Sequence, residues 1–418
     1  MEIIGTKQYP VKKNLYRLPW TMNDNPHGWV EITDVCNIHC NGCYRRMKGD
    51  GHKPFEQLKE EILFLKKWTN CDSIILAGGE AILHPQILEI IGFIKKNRMK
   101  SLIHTNGLAL TEQLIKDLKN AGLTGLKFHI DSTQSRPEFK KEGVEKEKEL
   151  NDLRLKFAKM AKNAGMYSQF GMTVTEQNFN DIPKFVQWAI DNAKSVKTIS
   201  FVMFRGLPLG KGIDYYAGDK KVDIKSGTIG YVIDAEKSEY LGITSKDVYA
   251  LIRDHFPDYD ASAYIGGSID HTSFKWLIGN IIVNSKGRTF GAYGKKTMEL
   301  IQTFYHFRRG SYISINKIQM GKKLFFLSIL DIKLRKALVK FIKYVILNPI
   351  RLFYPLNPIT VLMVQPADIR PDGSVDMCCH CPNLCVYDGK LVYSCRLDEY
   401  RYYGNLLSCR IPNEDTIK

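Results

Sequence analysis

The chain has 418 residues, of which 44% are hydrophobic and 25% are charged. That length and balance predict two or three folded domains and exclude both a small disulfide-stapled protein and a largely disordered chain. The formal net charge of +16 favours an anionic partner, such as nucleic acid, an acidic lipid or a phosphorylated substrate, without choosing among them.

The beginning of the chain and the cysteines both bear on the cellular compartment. No apolar stretch with a small-residue cleavage site opens the sequence, so we predict a cytoplasmic protein without a secretory signal. Thiols stay reduced there, and the ten cysteines are therefore expected to bind metal or clusters rather than to form disulfides. Three of them lie within residues 36–43 and six within 378–409, which separates two groups by a cysteine-poor body.

Between residues 29 and 205, short runs of β-forming residues alternate with longer segments of helical periodicity, the pattern of repeated βα units. We predict an α/β fold, a partial (β/α)6 TIM-like barrel with its chemistry at the carboxyl ends of the strands. A doubly wound open sheet is the main alternative. The predicted strands cover residues 29–33, 73–77, 101–105, 126–130, 169–175 and 197–203, with helical segments such as 57–68, 112–121 and 150–164 between them.

After the βα units the composition changes twice. A stretch rich in Gly, Tyr, Asp and Lys, without steady periodicity, comes first, and a basic, apolar stretch follows it. A small Cys-rich domain is predicted to end the chain. The predicted organisation is an N-terminal extension (1–28), a barrel (29–205), an insertion or cap (206–320), a basic amphipathic segment (321–365) and a Cys-rich auxiliary-cluster region (366–418).

The basic segment contains a helical pattern with eight Lys or Arg residues and one acid, Asp331, between residues 322 and 351. No run of about 18 uncharged apolar residues occurs, so a helix lying on an anionic membrane surface fits better than a spanning helix. A helix packed on its own domain with a solvated basic face fits the same pattern. The apolar positions are Leu334, Leu338, Phe341, Ile342 and Val345, opposite Lys333, Lys336, Lys340 and Lys343.

The most informative residues are Cys36, Cys40 and Cys43, which directly follow the first predicted strand. Structural zinc takes four protein ligands, and His39 could supply the fourth beside three thiolates. A [4Fe-4S] cluster tolerates three cysteines, because its fourth iron can then bind a small chelating ligand. We therefore favour a cluster at this loop and keep zinc as the alternative.

This three-then-two cysteine spacing after a first strand resembles the cluster loop of the radical S-adenosylmethionine (radical SAM) superfamily. The resemblance implies that the open iron binds SAM and that one electron cleaves SAM to a 5′-deoxyadenosyl radical, which removes hydrogen from an unactivated C–H bond. It also implies a reducing partner such as ferredoxin or flavodoxin. The family often has an aromatic residue just before the third cysteine, where this chain has Gly42 and offers Tyr44 just after it as the SAM contact.

Glycines and polar residues after the next strands extend the resemblance. Gly78 and Gly79 allow a close backbone approach to a ligand, and Glu80 can accept from a cation. In the family this turn receives the methionine amino group of SAM. Each further candidate also has an ordinary explanation as turn chemistry or a satisfied interior residue. These candidates for the SAM and substrate pocket are Thr105 and Asn106 after the third strand, Asp131 with His129 at the fourth, and Thr173 on the fifth.

Four C-terminal cysteines, Cys378, Cys381, Cys385 and Cys395, make a second candidate metal site. A second iron–sulfur cluster is the first interpretation, and tetrahedral zinc is the alternative because it also takes four thiolates. The group resembles the auxiliary-cluster domains of many radical SAM enzymes, although its spacing does not reproduce the SPASM pattern.

A looser resemblance concerns the substrate. The run 128–137, the Cys-rich tail and the basic segment resemble the branch around archaeal tetraether-lipid synthases, which implies a lipid substrate and peripheral association with the inner face of a membrane. The rival enzyme hypothesis is maturation of a ribosomally made peptide. From another class, a non-catalytic zinc protein could bind RNA through its positive surface, although nucleic acid is not the partner we expect.

Overall fold

A mixed β-sheet is the central feature of the computed structural model, which describes residues 8–45, 51–137, 144–209, 212–224, 229–234, 242–314, 320–370 and 372–410. Its six central strands are parallel and lie side by side in chain order. Each agrees with the predicted strand within two residues at either end, and the α/β class is confirmed. The strands are β1 (His27–Thr33), β2 (Ser73–Gly78), β3 (Lys100–Thr105), β4 (Gly125–His129), β5 (Tyr167–Val174) and β6 (Thr198–Met203).

Helices connect successive strands and cover one face of the sheet. In the first helix, Leu58, Ile62 and Leu65 recur at helical spacing and are buried in the core. The third begins at the Thr111 cap and ends at Gly122, whose φ of 115° suits glycine. The connecting helices are α1 (Phe55–Thr69), α2 (Ile87–Lys96), α3 (Glu112–Ala121), α4 (Val144–Asn163) and α5 (Ile182–Asp191).

The opposite face of the six strands surrounds one cavity. Side chains from all six strands reach this cavity, so the sheet must curve around it. This arrangement is consistent with the predicted partial (β/α)6 TIM-like barrel. One such residue from each strand, in order, is Trp29, Ala77, His104, Lys127, Gln169 and Ser200.

Beyond β6 the sheet contains two short strands, Tyr16–Arg17 and Thr289–Gly291, and three longer strands, β7 (Asp260–Ile265), β8 (Trp276–Asn284) and β9 (Leu356–Val364). The last of these pairs in parallel with β6 and antiparallel with β8. The region predicted as an insertion or cap therefore contributes three strands to the main sheet, β7, β8 and Thr289–Gly291, and the predicted basic segment contributes β9. All nine residues of β8 are buried, and a strand buried on both faces has no alternating pattern to reveal it in the sequence.

The Cys-rich region contacts the chain near both β7 and β1. The backbone of Cys378 forms an isolated antiparallel β-bridge with Gly267 just after β7, and Leu384 pairs with Gly28 of β1. The hairpin β10 (Leu384–Tyr387) and β11 (Lys390–Tyr393) then extends the sheet on the β1 side. Described residues of this region, among them Cys378 and Cys395, also line the cavity.

The predicted basic helix is α8 (Ile332–Ile346), which follows α6 (Ser245–His255) and α7 (Lys295–Arg309). Its Leu334 and Phe341 side chains are buried in the protein core. Two of the apolar positions predicted to face a membrane are thus packed internally, whereas a third, Ile342, is 45% exposed. In the described parts of the chain, no helix is long and apolar enough to cross a bilayer.

The remaining elements are short. They include the helix α9 (Leu397–Tyr403) and 3-10 turns, among them Gly321–Ile329 and Pro349–Phe353 on either side of α8. The short strands are Tyr16–Arg17, His39–Cys40, Gln134–Ser135, Leu207–Leu209, Asp214–Ala217, Lys220–Val222, Val232–Asp234, Thr289–Gly291, Asp368–Ile369, Val375–Asp376 and Leu407–Arg410.

Candidate active site

A cavity of about 280 Å³ opens at the carboxyl ends of the parallel strands. Most candidates from the sequence line it, whereas Glu80, Asp131 and Cys385 lie behind its wall. The structure therefore brings both cysteine groups to one cavity. The lining candidates are Cys36, Cys40, Cys43, Tyr44, Gly78, Gly79, Thr105, Asn106, Thr173, Cys378, Cys381 and Cys395.

The loop after β1 directs three thiols into the cavity. It turns back at Cys43, whose N–H donates to the Cys40 carbonyl at 3.3 Å. Gly42 has a φ of 75°, and a Cβ there would collide with the Phe204 ring, so this position requires glycine. His39, the candidate fourth zinc ligand, is exposed and does not line the cavity.

The chemistry of these thiols fits an iron–sulfur cluster. Burial raises the pKa of Cys40, and the neighbouring Cys43 and Cys36 thiols raise it further. The Cys40 thiol is therefore protonated in the absence of metal, and iron binding would displace its proton. Among the described residues, no group of three or more His, Cys, Asp or Glu side chains is spaced to hold one metal ion. A four-iron cluster does not require its ligands to converge on one metal ion, because each thiolate binds its own iron.

The turn after β2 packs directly against the chain that leads to Cys36. Gly79 N–H donates to the Thr33 carbonyl at 2.8 Å, and Glu80 N–H donates to the Val35 carbonyl at 2.7 Å. A Cβ on Gly78 or Gly79 would collide with these same carbonyl oxygens. The two glycines therefore allow a close approach between two protein segments, in addition to the approach to a ligand that the sequence predicted.

Glu80 links the turns after β2 and β3. Its side chain is 1% exposed, and its carboxylate accepts hydrogen bonds from the N–H groups of Asn106 at 2.7 Å and Ile82 at 3.2 Å. Burial raises the pKa of Glu80, while these N–H groups oppose the shift. The Asn106 side chain lies 4.0 Å from the Cys36 sulfur. Glu80 thus positions the residue beside a predicted cluster ligand.

Asp131, two residues after the end of β4, plays a similar positioning role. Its carboxylate pairs with His129 Nε2 at 2.8 Å and accepts the Thr173 N–H at 2.7 Å. Burial alone would raise the pKa of Asp131, but His129 and hydrogen bonds from Thr133 and Thr173 hold it well below its usual range. His129 and Thr173 face the cavity, so Asp131 orients them from behind.

The structure places the four C-terminal cysteines of the predicted second site in two environments. Cys378, Cys381 and Cys395 face the cavity, whereas the Cys385 thiol is buried and approaches the Val392 carbonyl at 3.5 Å within the hairpin. A hydrogen bond from Cys381 lowers the pKa of Cys378 against the effect of burial. Adjacent side chains on a strand point to opposite faces, and the spacing of cysteines cannot reveal which face each one takes.

Sequence reasoning missed several polar residues of the cavity wall. Burial lowers the pKa of Lys127 to about 8, and burial together with the charges of His129 and Lys127 lowers that of His104. Arg45 is buried against Glu31 and lies 4.7 Å from the centre of the Tyr44 ring. In the sequence, a charged or titratable residue inside an apolar strand was the signal that could have identified Lys127 and His104 as residues of the cavity wall.

Replacing Lys127 with methionine is expected to stabilise the protein at pH 7, by on the order of 1–3 kcal/mol. The folded-state pKa of Lys127 is about 8, against an ordinary value of 10.5. Between pH 8 and pH 10.5 the unfolded chain therefore binds more protons at this residue than the folded protein does. Wild-type stability should therefore rise with pH across that window, and the advantage of Lys127→Met should shrink. Urea unfolding at pH 7 and pH 10 measures this, with the exposed Lys116→Met on α3 as control. Equal effects at the two pH values would contradict the prediction.

Comparison with known proteins places this site in an enzyme class. Residues 30–189 match the family model described as the radical SAM superfamily. This part of the chain is a radical SAM domain.

Similar proteins include an AdoMet-dependent heme synthase of Methanosarcina barkeri, 24% identical over 188 residues, which cover 44% of this chain and 51% of that protein. The antilisterial bacteriocin subtilosin biosynthesis protein AlbA of Bacillus subtilis is 27% identical over 38% of this chain and 36% of its own length. Streptococcus suis SuiB bound to S-adenosylmethionine matches with a TM-score of 0.35 and 18% identity, over 45% of this chain and 42% of SuiB. The chain thus spans about half or less of the length of these relatives.

Proposed function

We propose that this protein reductively cleaves SAM and uses the resulting 5′-deoxyadenosyl radical to remove hydrogen from an unactivated C–H bond. A [4Fe-4S] cluster held by Cys36, Cys40 and Cys43 would supply the electron, received from a partner such as ferredoxin or flavodoxin. The observation that carries the proposal is the convergence of these three thiols on one cavity at the carboxyl ends of the strands.

The surrounding residues have defined tasks in this proposal. Gly78 and Gly79 bring the end of β2 against the cysteine loop and line the cavity where SAM would bind. Asn106 and Thr173 offer polar groups to the same cavity, held in place from behind by Glu80 and Asp131. Buried partners of this kind fix the cavity side chains before any ligand binds.

The proposal is tested by anaerobic reconstitution of the protein with iron and sulfide, followed by incubation with SAM and dithionite. We expect 5′-deoxyadenosine and methionine in equal amounts, and a reduced-cluster EPR signal that changes when SAM is added. A reconstituted protein that carries iron but releases no 5′-deoxyadenosine would exclude the proposed chemistry. A colourless protein that holds zinc at the first loop would favour the non-catalytic alternative.

We further propose that the C-terminal cysteines hold a second iron–sulfur cluster through Cys378, Cys381 and Cys395. Wild-type protein should then carry about eight irons, and Cys381→Ala should reduce this to about four. Cys385→Ala is the matched comparison and should retain about eight, because the Cys385 thiol faces the hairpin. Iron analysis with anaerobically purified variants decides between them. Equal iron loss in both variants would show that Cys385 is a fourth ligand. One equivalent of zinc, with no loss of iron on substitution, would show that the site binds zinc instead of a cluster.

The substrate remains a choice between two hypotheses, a membrane lipid and a ribosomally made peptide. AlbA carries a name from bacteriocin biosynthesis, and another solved SuiB structure contains a precursor peptide, which favours a peptide. An apolar surface exposed on α8 favours a lipid. Untargeted lipid analysis of cells with and without the gene tests the lipid hypothesis. An unchanged lipid profile would shift the preference to a peptide or another small-molecule substrate.

A further inference from the structure

The outward face of α8 combines apolar and basic side chains. Ile332, Val339 and Ile346 are 69%, 47% and 72% exposed and recur every seven residues, so they form one stripe along the helix. Lys336 and Lys343 share the spacing of this stripe and are also exposed. We call these five residues the outer face of α8. It lies opposite the buried face that contains Leu334 and Phe341.

The segments that pack on either side of α8 add to this exposed apolar surface. In the 3-10 turn before the helix, Phe326 and Ile329 are 81% and 77% exposed. After the helix, Leu347 and Phe353 are 80% and 79% exposed. Isolated apolar residues on a surface are ordinary, but a patch of large side chains on one small region is typical of an interaction site. We therefore expect this exposed apolar surface to bind a partner.

The charges around this surface indicate the chemistry of that partner. The sequence of α8, IKLRKALVKFIKYVI, contains no acid, so its outer face carries positive charge only. Lys333 and Lys340 lie to one side and pair with Asp260 at 2.7 Å and Asp258 at 2.6 Å. Within the described residues, neither Lys336 nor Lys343 forms an ion pair, so both are available to an external anion.

We propose that the outer face of α8 docks this protein on an anionic lipid bilayer. Ile332, Val339 and Ile346 would enter the boundary between head groups and acyl chains, while Lys336 and Lys343 extend their ammonium groups to lipid phosphates. A second copy of the chain is a poorer occupant, because two such faces would bring like charges together.

Flotation with vesicles tests the docking, using phosphatidylcholine alone and phosphatidylcholine mixed with phosphatidylglycerol. We expect the full-length protein to bind the mixed vesicles at low salt and to dissociate as salt is raised, because salt screens the charge interaction. The double variant Lys336→Gln/Lys343→Gln should bind roughly tenfold more weakly. Lys333→Gln/Lys340→Gln removes the same charge from paired positions and should have a smaller effect. Ile332→Ser/Ile346→Ser should also lose binding.

Several results would overturn this proposal. One is failure of the wild type to float with the mixed vesicles, and another is equal weakening by the two lysine pairs. A wild-type dimer in sedimentation analysis that Ile332→Ser/Ile346→Ser dissociates would instead assign the surface to a second copy. SAM cleavage in detergent-free buffer should be unchanged in all these variants, which separates failure of docking from failure of the proposed chemistry.

Discussion

Replacing any one of Cys36, Cys40 and Cys43 with alanine is expected to reduce SAM cleavage by orders of magnitude, to the background rate. Each thiolate would hold a separate iron, so loss of one leaves the cluster without a protein ligand at a second iron. The measurement is 5′-deoxyadenosine release under dithionite by anaerobically reconstituted protein. Iron content should fall by about half if the C-terminal cluster is intact.

Cys71→Ala provides the matched control for these three variants. Cys71 is a buried thiol that packs in the core among apolar residues and does not line the cavity. Its replacement should leave both 5′-deoxyadenosine release and iron content near wild-type values. If a variant at Cys36, Cys40 or Cys43 retained wild-type SAM cleavage, the assignment of that residue as a cluster ligand would be wrong.

Alanine at Gly78 or Gly79 is expected to destabilise the radical SAM domain by roughly 2–4 kcal/mol and to lower cluster loading. A Cβ at either position collides with backbone oxygens, which cannot move aside as a flexible side chain can. At Gly78 the φ of 127° adds strain for any residue with a Cβ. The displaced segment leads directly into Cys36, so stability and iron content should fall together.

Gly92→Ala on α2 is the control for this pair of variants. No atom lies within 4 Å of a Cβ built at Gly92, and alanine favours the helix by about 0.5–1 kcal/mol. Chemical unfolding and iron analysis should therefore show an unchanged or slightly stabilised protein with full iron content. Normal stability and loading in both Gly78→Ala and Gly79→Ala would show that the collision is relieved at little cost.

The sequence by itself determined the features that depend on near neighbours along the chain. The six strands of the barrel follow from local β-forming runs, and the cysteine loop follows from the spacing of Cys36, Cys40 and Cys43. Chain order also placed Thr105 and Asn106 near that loop, because parallel strands bring their carboxyl ends to one edge. These predictions required no knowledge of which distant segments meet.

The tertiary structure alone decided which faces are covered. Spacing grouped Cys385 with three other cysteines, but the pairing of its hairpin with β1 turns it away from the cavity that Cys378 reaches. The helical pattern of α8 identified two faces, and only the core around Phe290 determines that Phe341 is buried and Ile346 exposed. The physical reason is the same in both cases: periodicity separates the faces of an element, whereas burial depends on contacts between residues far apart in the sequence.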